Sequence, residues 1–293
     1  MPFITEIKER ITSTADTRKI TQSLQLVAAS KMKGFVHKAL ATREYTAALL
    51  DALALAVSED VPLPYSESYG EAPLFVLITS DRGLCGNLNQ KLIKFLLAHP
   101  EWSVDAAVVV VGKKGEDGLR RRGVAPLLSF PAISERISPV DALRIVAQIL
   151  DIWKKGKAGK VYLICPHYVN PFLSNPTVKL FLPFSMESVV SDKESPDESY
   201  QQFRVPPVTE PSGERVATML VTQLIEALFT TSFYELKAAE YSSRMVAMKK
   251  ASDAAEELIE DLTGEYNKLR QERITNQLAE LATAAEAMNE EGN

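Results

Sequence analysis

Ten consecutive residues, Ser80 to Asn89 (SDRGLCGNLN), gather the side chains best suited to chemistry: a hydroxyl, a carboxylate, a guanidinium, a thiol and two carboxamides. Gly83 and Gly86, three apart, could let backbone N–H groups approach a phosphate at a helix N-terminus. The stretch fits neither G-x-G-x-x-G nor G-x-x-x-x-G-K-[ST], and no Lys-Ser/Thr pair follows to hold phosphate and Mg²⁺. The same glycines serve a tight turn equally well. Cys85 has no base beside it in the sequence, so a nucleophilic role is not supported. A second glycine- and cation-rich stretch, residues 112–123 (GKKGEDGLRRRG), also lacks a fingerprint and reads as a solvated basic loop. His37, His99 and His167 show no triad or metal spacing, and Cys85 and Cys165 form no C-x-x-C pair. No catalytic, cofactor-binding or metal site is expected, and an interaction or mechanical role leads.

The first of these stretches sits where an open α/β sheet would use it, at the carboxyl end of a strand. Short apolar runs rich in β-branched residues occur at 74–79, 106–111, 161–165 and 178–182, as expected of strands buried on both faces. Helical patterns at 88–98 and 140–153 alternate with them, which predicts a three-layer α/β domain over residues 72–185 with a parallel or mostly parallel sheet. Val61 to Ala72 reads as a loop. Residues 186–213, with four prolines and several acids, read as a surface connection.

Long helices are expected at both ends of the chain. From Glu214 to Thr263 fifty residues pass without Gly or Pro, which predicts a C-terminal helix over 214–285, followed by an acidic tail at 286–293. Ala255, Leu258, Leu262, Tyr266 and Leu269 recur on it at steps of three or four, a narrow seam that calls for one partner helix. The N-terminal segment, residues 1–60, is the candidate partner. Ile4, Ile7 and Ile11 open its apolar stripe, and Ile20, Leu24 and Val27 resume it after a phase shift. Gly34 costs about 1 kcal/mol there without ending the helix. About 55 residues at 1.5 Å each would make a rod on the order of 80 Å long. Because a compact insertion separates the two helices, an antiparallel pair is the simplest connection.

Charge narrows the partners. A formal net charge of -5 argues against general nucleic-acid binding. Residues 1–57 carry eight Lys/Arg against five Asp/Glu, and residues 214–293 eight against fifteen, so the helices have opposite sign. Basic stretches at 16–33 and 241–252 could meet an acidic surface, or could be ordinary solvated faces. No signal peptide is expected at the N-terminus, and no run reaches the roughly 20 apolar residues that a bilayer span needs. On the residues alone, a small-molecule enzyme with helical arms and a self-associating coiled-coil scaffold stay open as alternatives.

Three motifs carry a resemblance: ITST…TRKIT…LVAASKMK in the first helix, ITSDRGLCGNLN after the first strand, and RMVAMKKASDAAEELIEDL…YNKLRQERITNQLAEL in the last helix. In kind, order and spacing they resemble the gamma subunit of the F-type ATP synthase over essentially the whole chain. That resemblance implies a long antiparallel coiled coil of the N- and C-terminal helices with an inserted Rossmann-like α/β domain. It further implies a non-catalytic rotor that transmits torque between the c-ring of Fo and the catalytic alpha/beta hexamer. The nucleotide sites would lie on alpha and beta, with no cofactor on this chain. Implied partners are the alpha and beta subunits of F1, the epsilon subunit and the c-ring, with the membrane met only through Fo. The implied location is peripheral, on the cytoplasmic face of a bacterial inner membrane.

The resemblance also implies contacts with alpha/beta. Lys31 and Lys33 match the family's basic pair after the AAS run, and Leu24 matches a usual methionine beside an acidic loop of beta. Arg82 and Cys85 match a turn close to that loop, and Arg244, Gln271 and Thr275 match polar positions at the collar of beta. Two departures are evident: Gln22-Ser23-Leu24 stands for K-A-M, and Asn276-Gln277-Leu278 stands for Q-E-L. The redox-active cysteine pair of chloroplast relatives is not expected.

Overall fold

The structure, a computed structural model, describes residues 2–56, 63–68, 70–103, 106–133, 139–185 and 209–290. Most of the expected connection at 186–213 and the last three residues of the expected tail lie outside these. Two compact units divide the chain: Met1–Val27 with Met245–Asn293, and Ala28–Arg244. Two long helices, α1 (Pro2–Ala56) and α5 (Gly213–Glu290), contribute to both.

In the larger unit five strands form one sheet. In chain order the elements are β1 (Pro73–Ile78), α2 (Leu88–Leu97), β2 (Ala107–Val111), α3 (Lys113–Arg120), β3 (Leu128–Phe130), α4 (Pro139–Ile152) with a π-helical turn at Trp153–Lys157, β4 (Lys160–Asn170) and β5 (Leu173–Leu182). The spatial order is β3-β2-β1-β4-β5, parallel except for β5, which pairs antiparallel with β4. β1 and β2 are central and nearly all buried, which is why they read as unbroken apolar runs rather than alternating ones. β5 is an edge strand and so accommodates Pro176, which has no N–H to give to a ladder.

Two expectations change. The expected basic loop at 112–123 holds α3, and its glycines are packing devices. A Cβ at Gly112, whose φ is +99°, would stand 2.1 Å from the Thr79 carbonyl oxygen; one at Gly118 would stand 2.3 Å from the Ile93 side chain. Glycine therefore lets α3 close onto the end of β1 and onto α2. β3 was not expected, because three residues carry too little periodicity to be read.

In this unit α1 lies against α5, and the contacts run in opposite chain directions. Phe35 stacks on Tyr241, Arg43 pairs with Glu235, and the Thr46 hydroxyl meets that of Thr231. From Phe229 to Arg244 nearly every residue of α5 is buried, including Glu235, Lys237, Glu240 and Arg244. Somewhere along α5 the chain is apolar and long enough to cross a membrane by composition, which the sequence reading did not anticipate; half of that stretch is buried within the protein.

The smaller unit contains only the first part of α1 and the last part of α5. Buried or half-buried positions on α1 include Ile4, Ile7, Ile11, Thr14, Arg18, Thr21 and Gln25, with Ala15 and Leu24 beside them, and on α5 they include Met248, Ser252, Ala255, Ile259, Leu262, Tyr266 and Leu269. Alternating steps of three and four give the 3.5-residue period of two helices sharing one seam. The opening isoleucine stripe behaves as expected; the second stripe does not. Ile20 is 60% and Val27 53% exposed, and only Leu24 of that trio is half-buried. The period set by Ile4, Ile7 and Ile11 continues unbroken, so polar Arg18, Thr21 and Gln25 take the inner positions. Two of these side chains have partners there: the Thr21 hydroxyl donates to the Arg18 carbonyl, and Arg18 pairs with Glu256 at 2.7 Å, while Arg18 Nε is buried without a hydrogen bond. Leu258, expected in the seam, is exposed, and from Gln271 to Ala284 every residue of α5 is exposed.

Candidate interaction site

The turn between β1 and α2 is built by its own side chains. The Ser80 backbone N–H donates to Asn89 Oδ1 at 3.1 Å, and Asn89 Nδ2 donates to Ser80 Oγ at 2.8 Å and to Cys85 Sγ at 3.3 Å. Ser80 Oγ donates to the Arg82 carbonyl at 2.8 Å. Asp81 Oδ1 accepts from the backbone N–H groups of Lys113 and Ala132, tying the turn to the start of α3 and to the end of β3. Left-handed backbone falls on Leu84 (φ 61°) and Gly86 (φ 58°), not on Gly83. A leucine in that region is uncommon and costs energy that the surroundings must offset. Arg82 and Leu84 point outward, whereas Cys85 is 2% exposed and burial pushes its thiol pKa up. A buried, protonated thiol held by Asn89 is a structural group, not a nucleophile.

Across from the turn, α5 presents a buried charge cluster. Arg244 Nη2 donates to Glu240 Oε1 at 2.7 Å and to the Gly83 carbonyl at 3.1 Å, and Lys237 Nζ donates to Glu240 Oε2 at 3.1 Å. The Tyr241 ring lies between cations: Lys31 Nζ is 5.5 Å and the Arg244 guanidinium carbon 5.1 Å from its centroid, and Phe35 stacks on it nearly parallel. Such contacts add about 0.5–2 kcal/mol each when desolvated. They also hold the cations at fixed places.

A second buried group ties α1, β4 and α5 together. Glu235, 1% exposed, accepts from Arg43 at 2.6 Å through Oε1, and Arg43 also donates to the Tyr168 carbonyl. Its other oxygen accepts no hydrogen bond; His167 Nδ1 is 3.7 Å away, an electrostatic neighbour only. Burial pushes the Glu235 carboxyl up, but His167, Lys179 and Arg43 outweigh it and hold it below its ordinary value.

Of the expected contact residues, the structure brings four together: Lys31, Arg82, Cys85 and Arg244 share the neighbourhood of Tyr241 and Gly83. Lys33 is exposed on the same unit. Leu24, half-buried, and Gln271 and Thr275, exposed, belong to the smaller unit. Arg244 was expected to face outward, yet its guanidinium is engaged inside the chain. The basic stretch 241–252 is accordingly less basic than it reads, since Glu240, one residue before it, neutralises Arg244 at i,i+4 spacing; Lys249 and Lys250 are exposed. That pair was legible in the sequence. Arg43 with Glu235, 192 positions apart, was not. Among the described residues no group of three His, Cys, Asp or Glu side chains could hold a metal ion.

The ATP synthase family model matches residues 4–288. The ATP synthase gamma chain of Herpetosiphon aurantiacus is 33% identical over 97% of this chain and 98% of its own length. That of Roseiflexus castenholzii is 31% identical over 99% and 100%, and that of Acidithiobacillus ferrooxidans 32% over 97% and 98%. Among solved structures, a chain of the Euglena gracilis mitochondrial ATP synthase rotor aligns over 93% of this chain with a TM-score of 0.63 at 17% identity. A chain of the Tetrahymena thermophila central stalk and c-ring structure aligns over 80% with a TM-score of 0.56 at 22% identity. With relatives matched end to end and a family model spanning nearly every residue, the chain belongs to the ATP synthase gamma chain family.

Proposed function

We propose that this protein is the non-catalytic rotor of an F-type ATP synthase, turning inside the alpha/beta hexamer and transmitting torque between that hexamer and the c-ring. Family membership along the whole chain supports the role. The observation that carries it further is the surface of the smaller unit. Its two helices share one narrow seam, while Ile20, Leu26 and Val27 on α1 and Ile274, Leu278 and Leu281 on α5 stand exposed. A helix that leaves large apolar side chains outside its seam is suited to being sheathed by a partner. The 3.5-residue period and the opposed contacts in the larger unit support reading α1 and α5 as one antiparallel coiled coil, stiff enough to carry torque. The α/β domain then serves as a foot of the three-layer, Rossmann-like kind, contacting the c-ring and the epsilon subunit and using a nucleotide-binding shape structurally.

On this reading nucleotide chemistry belongs to alpha and beta. Leu24, Lys31, Lys33, Arg82, Gln271 and Thr275 meet those subunits, with Arg244 and Cys85 holding the surface that does so. The complex is peripheral at the membrane, on its cytoplasmic face. The test is reconstitution of the purified full chain with the alpha and beta subunits of its own organism. The expected result is one copy of this chain per alpha/beta hexamer, with sustained ATP hydrolysis that requires it. A chain that stays free while alpha and beta behave identically without it would refute the reading.

A further inference from the structure

The Glu240 carboxylate and Arg244 guanidinium form a strut from α5 to the turn after β1, and we propose that Glu240 is a positioning residue: through Arg244 it locks the Gly83 carbonyl and so fixes how Arg82 and Leu84 are presented. This deepens the rotor reading, because Arg82 and Leu84 are the turn's outward side chains. The strut can be tested separately from it.

Three observations carry the inference. First, the turn is held in a costly conformation, with Leu84 at φ 61°, and such backbone persists only where neighbours over-determine it. Second, Arg244 is the contact from α5 that reaches the turn's backbone: Nη2 and Nε stand 3.1 and 3.4 Å from the Gly83 carbonyl oxygen. Third, the orientation of Arg244 is set from two sides, by Glu240 Oε1 at 2.7 Å and by the face of Tyr241 at 5.1 Å. Glu240 is itself 2% exposed and shares its second oxygen with Lys237, so neither carboxylate oxygen is left to water. Neutralising Glu240 would leave two buried cations competing for one neutral side chain. The guanidinium would then have no fixed partner to hold it on the carbonyl.

Cys85 provides the readout. It sits inside the turn at 2% exposure, whereas Cys165 is buried in β4, so the two thiols report local and global opening separately. The experiment is maleimide labelling of the purified full chain, resolved by peptide mass, for the wild type, Glu240→Gln and Glu240→Asp. The expected result for Glu240→Gln is labelling of Cys85 about tenfold faster, the factor that follows from losing one charge-assisted hydrogen bond, with Cys165 unchanged. Glu240→Asp, which restores the carboxylate, is expected to recover most of the protection. Cys85 labelling within twofold of wild type in Glu240→Gln, an equal rise at both thiols, or no recovery with aspartate would each overturn the strut. If Glu240→Gln does not fold, Arg244→Lys replaces it, keeping a cation for Glu240 but losing the planar fork, with the same outcomes required. A failed reconstitution with alpha and beta would refute the rotor reading without altering these rates.

Discussion

Replacing Arg43 by methionine removes a guanidinium while keeping most of the apolar stem, and its cost can be worked out from the Glu235 site. Glu235 is 1% exposed and makes its hydrogen bonds to Arg43, with His167 only an electrostatic neighbour. Breaking a buried pair from one side costs about 3–5 kcal/mol. Because the Arg43 side chain is 34% exposed, the lower end, about 3 kcal/mol, applies. About 1 kcal/mol of that is the bond to the Tyr168 carbonyl and is independent of pH. The rest depends on the charge on Glu235.

In the wild type the folded carboxyl titrates below its ordinary value of 4.5, so its contribution is present above that pH and is lost as pH falls through the folded value. In the variant the folded carboxyl loses one of the groups that hold it down and moves up, while His167 and Lys179 still oppose burial, so ionised Glu235 stabilises the variant less than the wild type. The deficit of Arg43→Met should therefore be largest near pH 7 and shrink towards about 1 kcal/mol as pH falls through the wild-type folded value. Urea unfolding followed by tryptophan fluorescence is the assay, since both tryptophans, Trp102 and Trp153, lie in the larger unit. A deficit that stayed the same from about pH 7 down to the lowest pH at which both proteins remain folded would assign the loss to packing and refute the electrostatic reasoning.

Gly112→Ala should lower the stability of the larger unit by at least about 2 kcal/mol, because it combines φ +99° with a Cβ 2.1 Å from the Thr79 carbonyl oxygen; the same fluorescence assay reads it. In the smaller unit Leu262→Ala, on the seam, should cost about 2–4 kcal/mol, whereas Leu26→Ser, on the outer face, should change stability by less than about 0.5 kcal/mol. Far-ultraviolet circular dichroism during unfolding separates the two. Gln271→Ala and Thr275→Ala should leave the isolated chain as stable as wild type, both being exposed, and should lower ATP turnover or assembly of the reconstituted complex. Unchanged turnover and assembly would remove both residues from the contact surface.

Much of the α/β arrangement was legible because its signals are local. Val108 to Val111 and Leu74 to Ile78 are continuous apolar runs, and α2 and α4 have helical periodicity of ordinary length. The helix α3 was hidden because Gly115 and Gly118, poor helix formers, are there for close packing against Thr79 and Ile93, a requirement that appears only once the sheet exists. On α1 the apolar residues were a misleading guide after Ile11. Ile20 and Val27 obeyed local hydrophobicity in the reading, while in the structure the seam keeps the 3.5-residue period and turns them outward. Lys31, Arg82, Cys85 and Arg244 were identified one by one through the resemblance, and their meeting around Tyr241 and Gly83 is a long-range fact that no spacing encodes. The same holds for Glu235, whose partners come from α1 and β4. Glu240 beside Arg244 is the exception: the pair is local, at i,i+4 spacing, and Glu240 stands one residue before the basic stretch that begins at Tyr241.

The central claim, that this chain turns within the alpha/beta hexamer, is tested most directly by watching it turn. Lys91, exposed on α2, offers a position for an introduced cysteine carrying a visible probe. With the reconstituted hexamer fixed to a surface and ATP supplied, the probe is predicted to rotate in one direction, at a rate that follows hydrolysis. Hydrolysis that continues while the probe stays still relative to the hexamer would contradict the account.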